Sequence, residues 1–98
     1  MKILVVEDEV MLADSIRAML EKRGFRVECV YDGESGTEYA LTGIYDLLIL
    51  DVMMPGMDGF TLCKKIREKS DSIGIIMLSA KSQEMDKVNG LMLGADGY

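Results

Sequence analysis

The sequence predicts an α/β domain built on a doubly wound parallel sheet. Three observations carry that prediction. Short apolar runs alternate with amphipathic helical patterns along the chain. The runs KILVV, DLLIL and GIIML lack a regular polar alternation, as strands buried on both faces do. The order β-α-β-α-β-α-β-α then calls for right-handed crossovers with helices on both sides of the sheet. A closed barrel of β/α units needs about twice as many of them.

Taking the elements in order, residues 2–6 form a short β-branched strand. Leu12, Ile16, Met19 and Leu20 recur at helical spacing, and Gly24 is the natural residue just past that helix. Residues 25–30, FRVECV, alternate as a strand with one wetter face, which suits an edge. Asp32-Gly33 turns the chain, and Asp32 caps a helix over about 34–42 that Gly36 weakens. Residues 46–50 form a buried strand. Asp58 caps a helix to about Lys69 with Phe60, Cys63 and Ile66 inward. Residues 74–78 form the fourth strand. Ser82 opens a last helix with Met85, Val88, Leu91 and Met92 on one side, and Gly94 ends it.

Composition narrows the function. A chain of 98 residues, 49% apolar and 29% charged, suits one globular domain. Its net charge of −6 disfavours nucleic acid as a partner. The cluster Lys64, Lys65, Arg67 and Lys69 has helical spacing and reads as a solvated helix end. Histidine is absent, which removes imidazole acid–base chemistry. Cys29 and Cys63 belong to no C-x-x-C pair and read as reduced thiols. No apolar run is long enough to cross a membrane, and MKILVVEDE carries no cleavage site, so a cytosolic chain is expected.

The residues that carry chemistry sit just past the strands. Glu7 and Asp8 come after the first, Asp51 after the third, and Ser79 and Lys81 after the fourth. In a parallel sheet these positions share the carboxyl edge, where open α/β sheets bind ligands. Taken singly, Glu7 and Asp8 could serve the dipole of the first helix, Asp51 could be a polar strand end, and Ser79 a loop residue. Together, three acids at one edge repel unless a hard divalent cation neutralises them. Magnesium fits, because it accepts oxygen ligands and leaves room for a phosphoryl group. Pro55 and Gly56 stiffen the loop after Asp51, so a backbone carbonyl such as that of Met53 can be aimed at the ion.

With these segments assembled, the chain resembles the receiver domain of a two-component response regulator. The matching elements are the strand ending in Glu7-Asp8, LILDVMMPGMDG around Asp51, MLSAK at 77–81, and GADGY at 94–98. The resemblance implies a flavodoxin-like sheet of order 2-1-3-4 over these strands. It also implies that Asp51 is the phosphoacceptor for a histidine kinase. Asp8, Asp51 and the Met53 carbonyl would hold Mg2+, with Glu7 acting through water. Ser79 would hydrogen-bond the phosphoryl group, Tyr98 would be the aromatic switch, and Met53 and Lys81 would tune dephosphorylation. Glu7 in place of the common aspartate is a trait of the subfamily with winged-helix DNA-binding outputs.

The family pattern continues past GADGY with a fifth strand, a phosphoryl-pairing lysine, a Lys-Pro turn and a fifth helix. The sequence ends before them. The expectation is a truncated receiver, with phosphotransfer of its own in question, that self-associates through the edge of the fourth strand. Two other functions compete with a phosphorylatable receiver. One is a non-catalytic interaction module on the same scaffold. The other is a magnesium-dependent phosphohydrolase, which wants a second aspartate two residues after the nucleophile, where this chain has Met53.

Overall fold

The computed structural model describes residues 1–52, 54, 59–69 and 72–78. In chain order the elements are β1 (Lys2–Val6), α1 (Val10–Lys22), β2 (Arg26–Val30), α2 (Gly33–Ala40), β3 (Leu47–Asp51), α3 (Gly59–Lys69) and β4 (Gly74–Leu78). The strands form one parallel sheet in the order β2-β1-β3-β4, as the resemblance implied. The expected turn at Pro55-Gly56, the Asp58 cap and the last helix from Ser82 lie outside the described residues.

Each strand of the sheet interior feeds two cores. Leu4, Val6, Leu48 and Leu50 face α2 and α3, packing with Ala40, Leu62, Cys63 and Ile66. Ile3, Val5 and Ile49 face α1, packing with Ala13, Ile16 and Leu20. This is why the central runs carry no polar alternation: both faces are dry. Each fully buried Leu or Ile here contributes roughly 1.5–3 kcal/mol. β2 is the expected edge, with Arg26 exposed and only Val27 and Val30 fully buried.

The helices end where the sequence says, but α1 is rotated from expectation. Gly24 adopts φ +93, and the N–H groups of Gly24 and Phe25 donate to the carbonyls of Glu21 and Leu20, closing α1 with a Schellman motif. Along α1 the buried residue is Ala13. Ile16 and Leu20 flank it, while Leu12 and Met19 are 41% and 56% exposed. At about 100° per residue, Leu12 and Met19 lie a third of a turn from Ala13. The small alanine lets the helix backbone come close to the sheet, so the contact stripe centres on it and not on the bulkier residues. In α3, Leu62 joins Cys63 and Ile66 in the core, and Phe60 sits half-buried at its margin.

Asp32 caps α2 as expected, accepting from the Ser35 N–H at 2.7 Å. Gly36, which weakens that helix, is explained by packing. A Cβ there would lie 2.8 and 2.9 Å from the Val6 methyls.

The amino ends of the strands are tied together. The Lys2 N–H donates to the Asp46 carboxylate and the Asp46 N–H to the Lys2 carbonyl, both at 2.8 Å. Beside them, the buried Tyr45 hydroxyl donates to Glu28 at 2.6 Å, and Lys2 pairs with the same carboxylate at 3.1 Å. Tyr45 first, and Lys2 after it, hold the Glu28 carboxyl below its ordinary range. Tyr45→Phe is expected to lower stability by about 1–2 kcal/mol, the worth of a hydrogen bond to a charged group that water can partly replace. Urea denaturation checks this, and an unchanged midpoint would contradict it.

Candidate functional site

The carboxyl ends of β1 and β3 are adjacent, because the two strands pair Ile3 with Leu47 through Val6 with Leu50. The next residues in that register are Glu7 and Asp51. The β1–β2 ladder extends one step further, with the Glu7 N–H donating to the Val30 carbonyl at 3.1 Å. On the other side Asp51 is paired with Leu78, and the Val52 N–H donates to the Leu78 carbonyl at 2.9 Å. Backbone bonding thus fixes both strand tips before any side chain is considered.

Glu7, Asp8 and Asp51 converge there, each offering a carboxylate oxygen within 4.8 Å of the others. Glu7 is 3% exposed, Asp51 half-buried, and Asp8 reaches solvent. Burial is the largest cause pushing the Glu7 carboxyl up, to about 7, and its neighbours Asp8 and Asp51 push the same way. A hydrogen bond from the Glu9 N–H, at 3.1 Å, opposes them. Glu9 is the N-cap of α1 and makes no side-chain cap of its own. Glu7 therefore bonds the start of α1 and stands in the acidic cluster at once.

Ser79, Lys81, Met53 and Tyr98 lie outside the described residues. Among the described ones, the structure unites the three acids that the sequence placed at one edge. It adds a residue that sequence reading treated only as a helix start. Gly59 opens α3 directly against the Asp51 carbonyl, and its N–H donates to the Val52 carbonyl at 2.7 Å. The Asp-Gly pair marks a helix start, but nothing in the sequence signals that approach.

The donor set suits a hard cation. All three groups are carboxylates, and a small divalent ion beside them would offset the burial that chiefly raises Glu7 and the smaller push from its acidic neighbours. An open parallel sheet with an acidic cluster at its carboxyl edge points to a class: α/β proteins whose ligands bind at the strand tips.

The comparisons with known proteins specify the class. The sequence pattern of the response regulator receiver domain matches residues 3–98, and the chain belongs to that family. It is 51% identical over 98 residues to the transcriptional regulatory protein DltR of Streptococcus agalactiae, covering all of this chain and 44% of DltR. The chain thus spans less than half the length of that relative. Among solved structures, the BeF3-activated receiver domain of Klebsiella pneumoniae RstA is 33% identical with a TM-score of 0.93, over 100% of this chain and 83% of that one. The Thermotoga maritima response regulator TrrA, in complex with Mg(2+)-BeF, is 33% identical with a TM-score of 0.90, over 99% and 83%.

Glu7 gives the site a pH signature in metal-free protein. Its carboxyl binds the proton more tightly folded than unfolded, so its contribution to stability is full below about 4.5 and lost as pH rises through about 7. The loss is on the order of 3 kcal/mol. Thermal melts in chelator at pH 5 and pH 8 are expected to show it. At pH 8, Glu7→Gln should melt higher than the parent chain. Equal midpoints for the two proteins at pH 8 would show that the acids do not strain the fold.

Proposed function

We propose that Asp51 accepts a phosphoryl group from a phosphohistidine of a sensor kinase, and that the chain relays this as the receiver of a transcriptional regulator. The observation that carries the reading is the convergence of Glu7, Asp8 and Asp51 within 4.8 Å. Asp51 is the acceptor because it ends a central strand, held by pairing to Leu78 and by the adjoining Val52 bond. Phosphoryl transfer asks mainly for fixed in-line geometry and charge neutralisation, and a rigid strand tip supplies the first.

Asp8 and Asp51 would hold Mg2+ directly, with Glu7 acting through water and the Met53 carbonyl completing the set by family resemblance. The ion supplies positive charge to the phosphoryl oxygens. The rest of the transfer belongs to the chain and the donor. An Asp51 carboxylate oxygen attacks phosphorus, the P–N bond to the donor imidazole breaks, and the imidazole leaves with the electron pair and takes a proton from solvent. The product is an acyl phosphate, which hydrolyses and lets the signal decay. Ser79 and Tyr98 carry the response by family resemblance, with Met53 and Lys81 setting its lifetime.

The charge of −6 supports a protein donor and leaves nucleic-acid binding to a partner domain. DltR is a transcriptional regulatory protein longer than this chain, which supports a transcriptional output. No helix among the described residues is long and apolar enough to cross a membrane. The cytosol is the compartment this reading implies.

Incubation with magnesium and acetyl phosphate is expected to add one phosphoryl group by intact mass. The adduct should vanish in Asp51→Asn and in chelator. Absence of any adduct on the parent chain would overturn the reading and favour a non-catalytic interaction module.

A further inference from the structure

We propose that Gly59 is a positioning residue for the phosphoacceptor; this rests on reading Asp51 as acceptor and metal ligand. The glycines of the described fold do different jobs. Gly24 and Gly43 adopt φ +93 and +79, with open space around them, and serve turns. Gly36 lets α2 approach β1, and a Cβ there would meet only side-chain atoms of Val6 and Leu62. Gly59 has no positive φ and is buried. A Cβ on it would press into the Asp51 carbonyl oxygen and lie 2.8 Å from both the Val52 Cα and the Leu50 Cδ1.

Two of those three obstacles are backbone, so no rotamer change relieves them. They belong to the acceptor residue itself and to the residue after it. The same segment is held from both sides: the Gly59 N–H donates to the Val52 carbonyl, and the Val52 N–H donates to Leu78 in β4. The tip of β3 is therefore clamped between α3 and β4. Any side chain at position 59 must push this tip, and the tip carries Asp51 relative to Glu7 and Asp8 on β1. A hydrogen atom at position 59 thus sets the spacing of the acids that share the cation.

The test compares Gly59→Ala with Gly36→Ala, another close-packed glycine, in the full chain. Magnesium affinity is read from amide chemical shifts in an NMR titration, stability from urea unfolding, and transfer from the rate of adduct formation with acetyl phosphate. Gly59→Ala is expected to weaken magnesium binding about 10-fold or more, as loss of support around a metal ligand does. Its adduct rate should fall by at least as much. Gly36→Ala should lower the urea midpoint and leave the magnesium constant unchanged. If Gly59→Ala does not fold in buffer, all proteins are titrated in trimethylamine N-oxide, which favours the compact state. Folded Gly59→Ala with the parent's magnesium affinity and adduct rate would overturn the proposal. So would equal weakening in Gly36→Ala, which would mark a general loss of stability. A parent chain that binds no magnesium and forms no adduct instead defeats the phosphoacceptor reading itself.

Discussion

The pairing register of β1 with β3 is the constraint on which the site depends. Ile3 lies beside Leu47 and Val6 beside Leu50, so the next residues, Glu7 and Asp51, arrive at neighbouring strand tips. A slip of one residue would turn every core side chain of a strand to the opposite face and separate the acids. The register is secured at its far end by the reciprocal bonds of Lys2 and Asp46. It is secured along its length by two dry cores that accept only one face each. Chemistry at one end of the sheet is thus set by polar contacts at the other.

That geometry works against the fold that makes it. Burial raises Glu7 to about 7, and two further carboxylates close by add to the cost. The chain tolerates this because the strand tips are held by backbone bonds that the acids do not supply, from Glu7 to Val30 and from Val52 to Leu78. A buried carboxylate with two acidic neighbours, framed by fixed backbone, is an arrangement that a cation would relieve.

Much of the fold was legible because its causes are local. All four described strands fall within a residue of their expected ends, since unbroken apolar runs next to turn residues leave little alternative. Gly24 and Asp32 close and open their helices through bonds to near neighbours, which the sequence encodes directly. The helix faces were harder. Leu12 and Met19 fit an apolar stripe by spacing, yet Ala13 makes the buried contact; in α3 Phe60, Cys63 and Ile66 do pack inward, and Leu62 joins them. Spacing gives the width of a stripe, while the angle at which a helix meets the sheet depends on the residues of another element.

The sequence by itself determined the alternation of elements, the sheet's two-sided burial, and the presence of Glu7, Asp8 and Asp51 just past strand ends. Each of these comes from residue type and short-range spacing. Only the tertiary structure decided that Glu7 is buried while Asp8 reaches solvent, that Glu7 also accepts from the N-cap residue of α1, and that Gly59 lies against the peptide of Asp51. Those facts depend on distances between segments far apart in the chain. Close packing fixes such distances to a fraction of an ångström, and no local pattern records them.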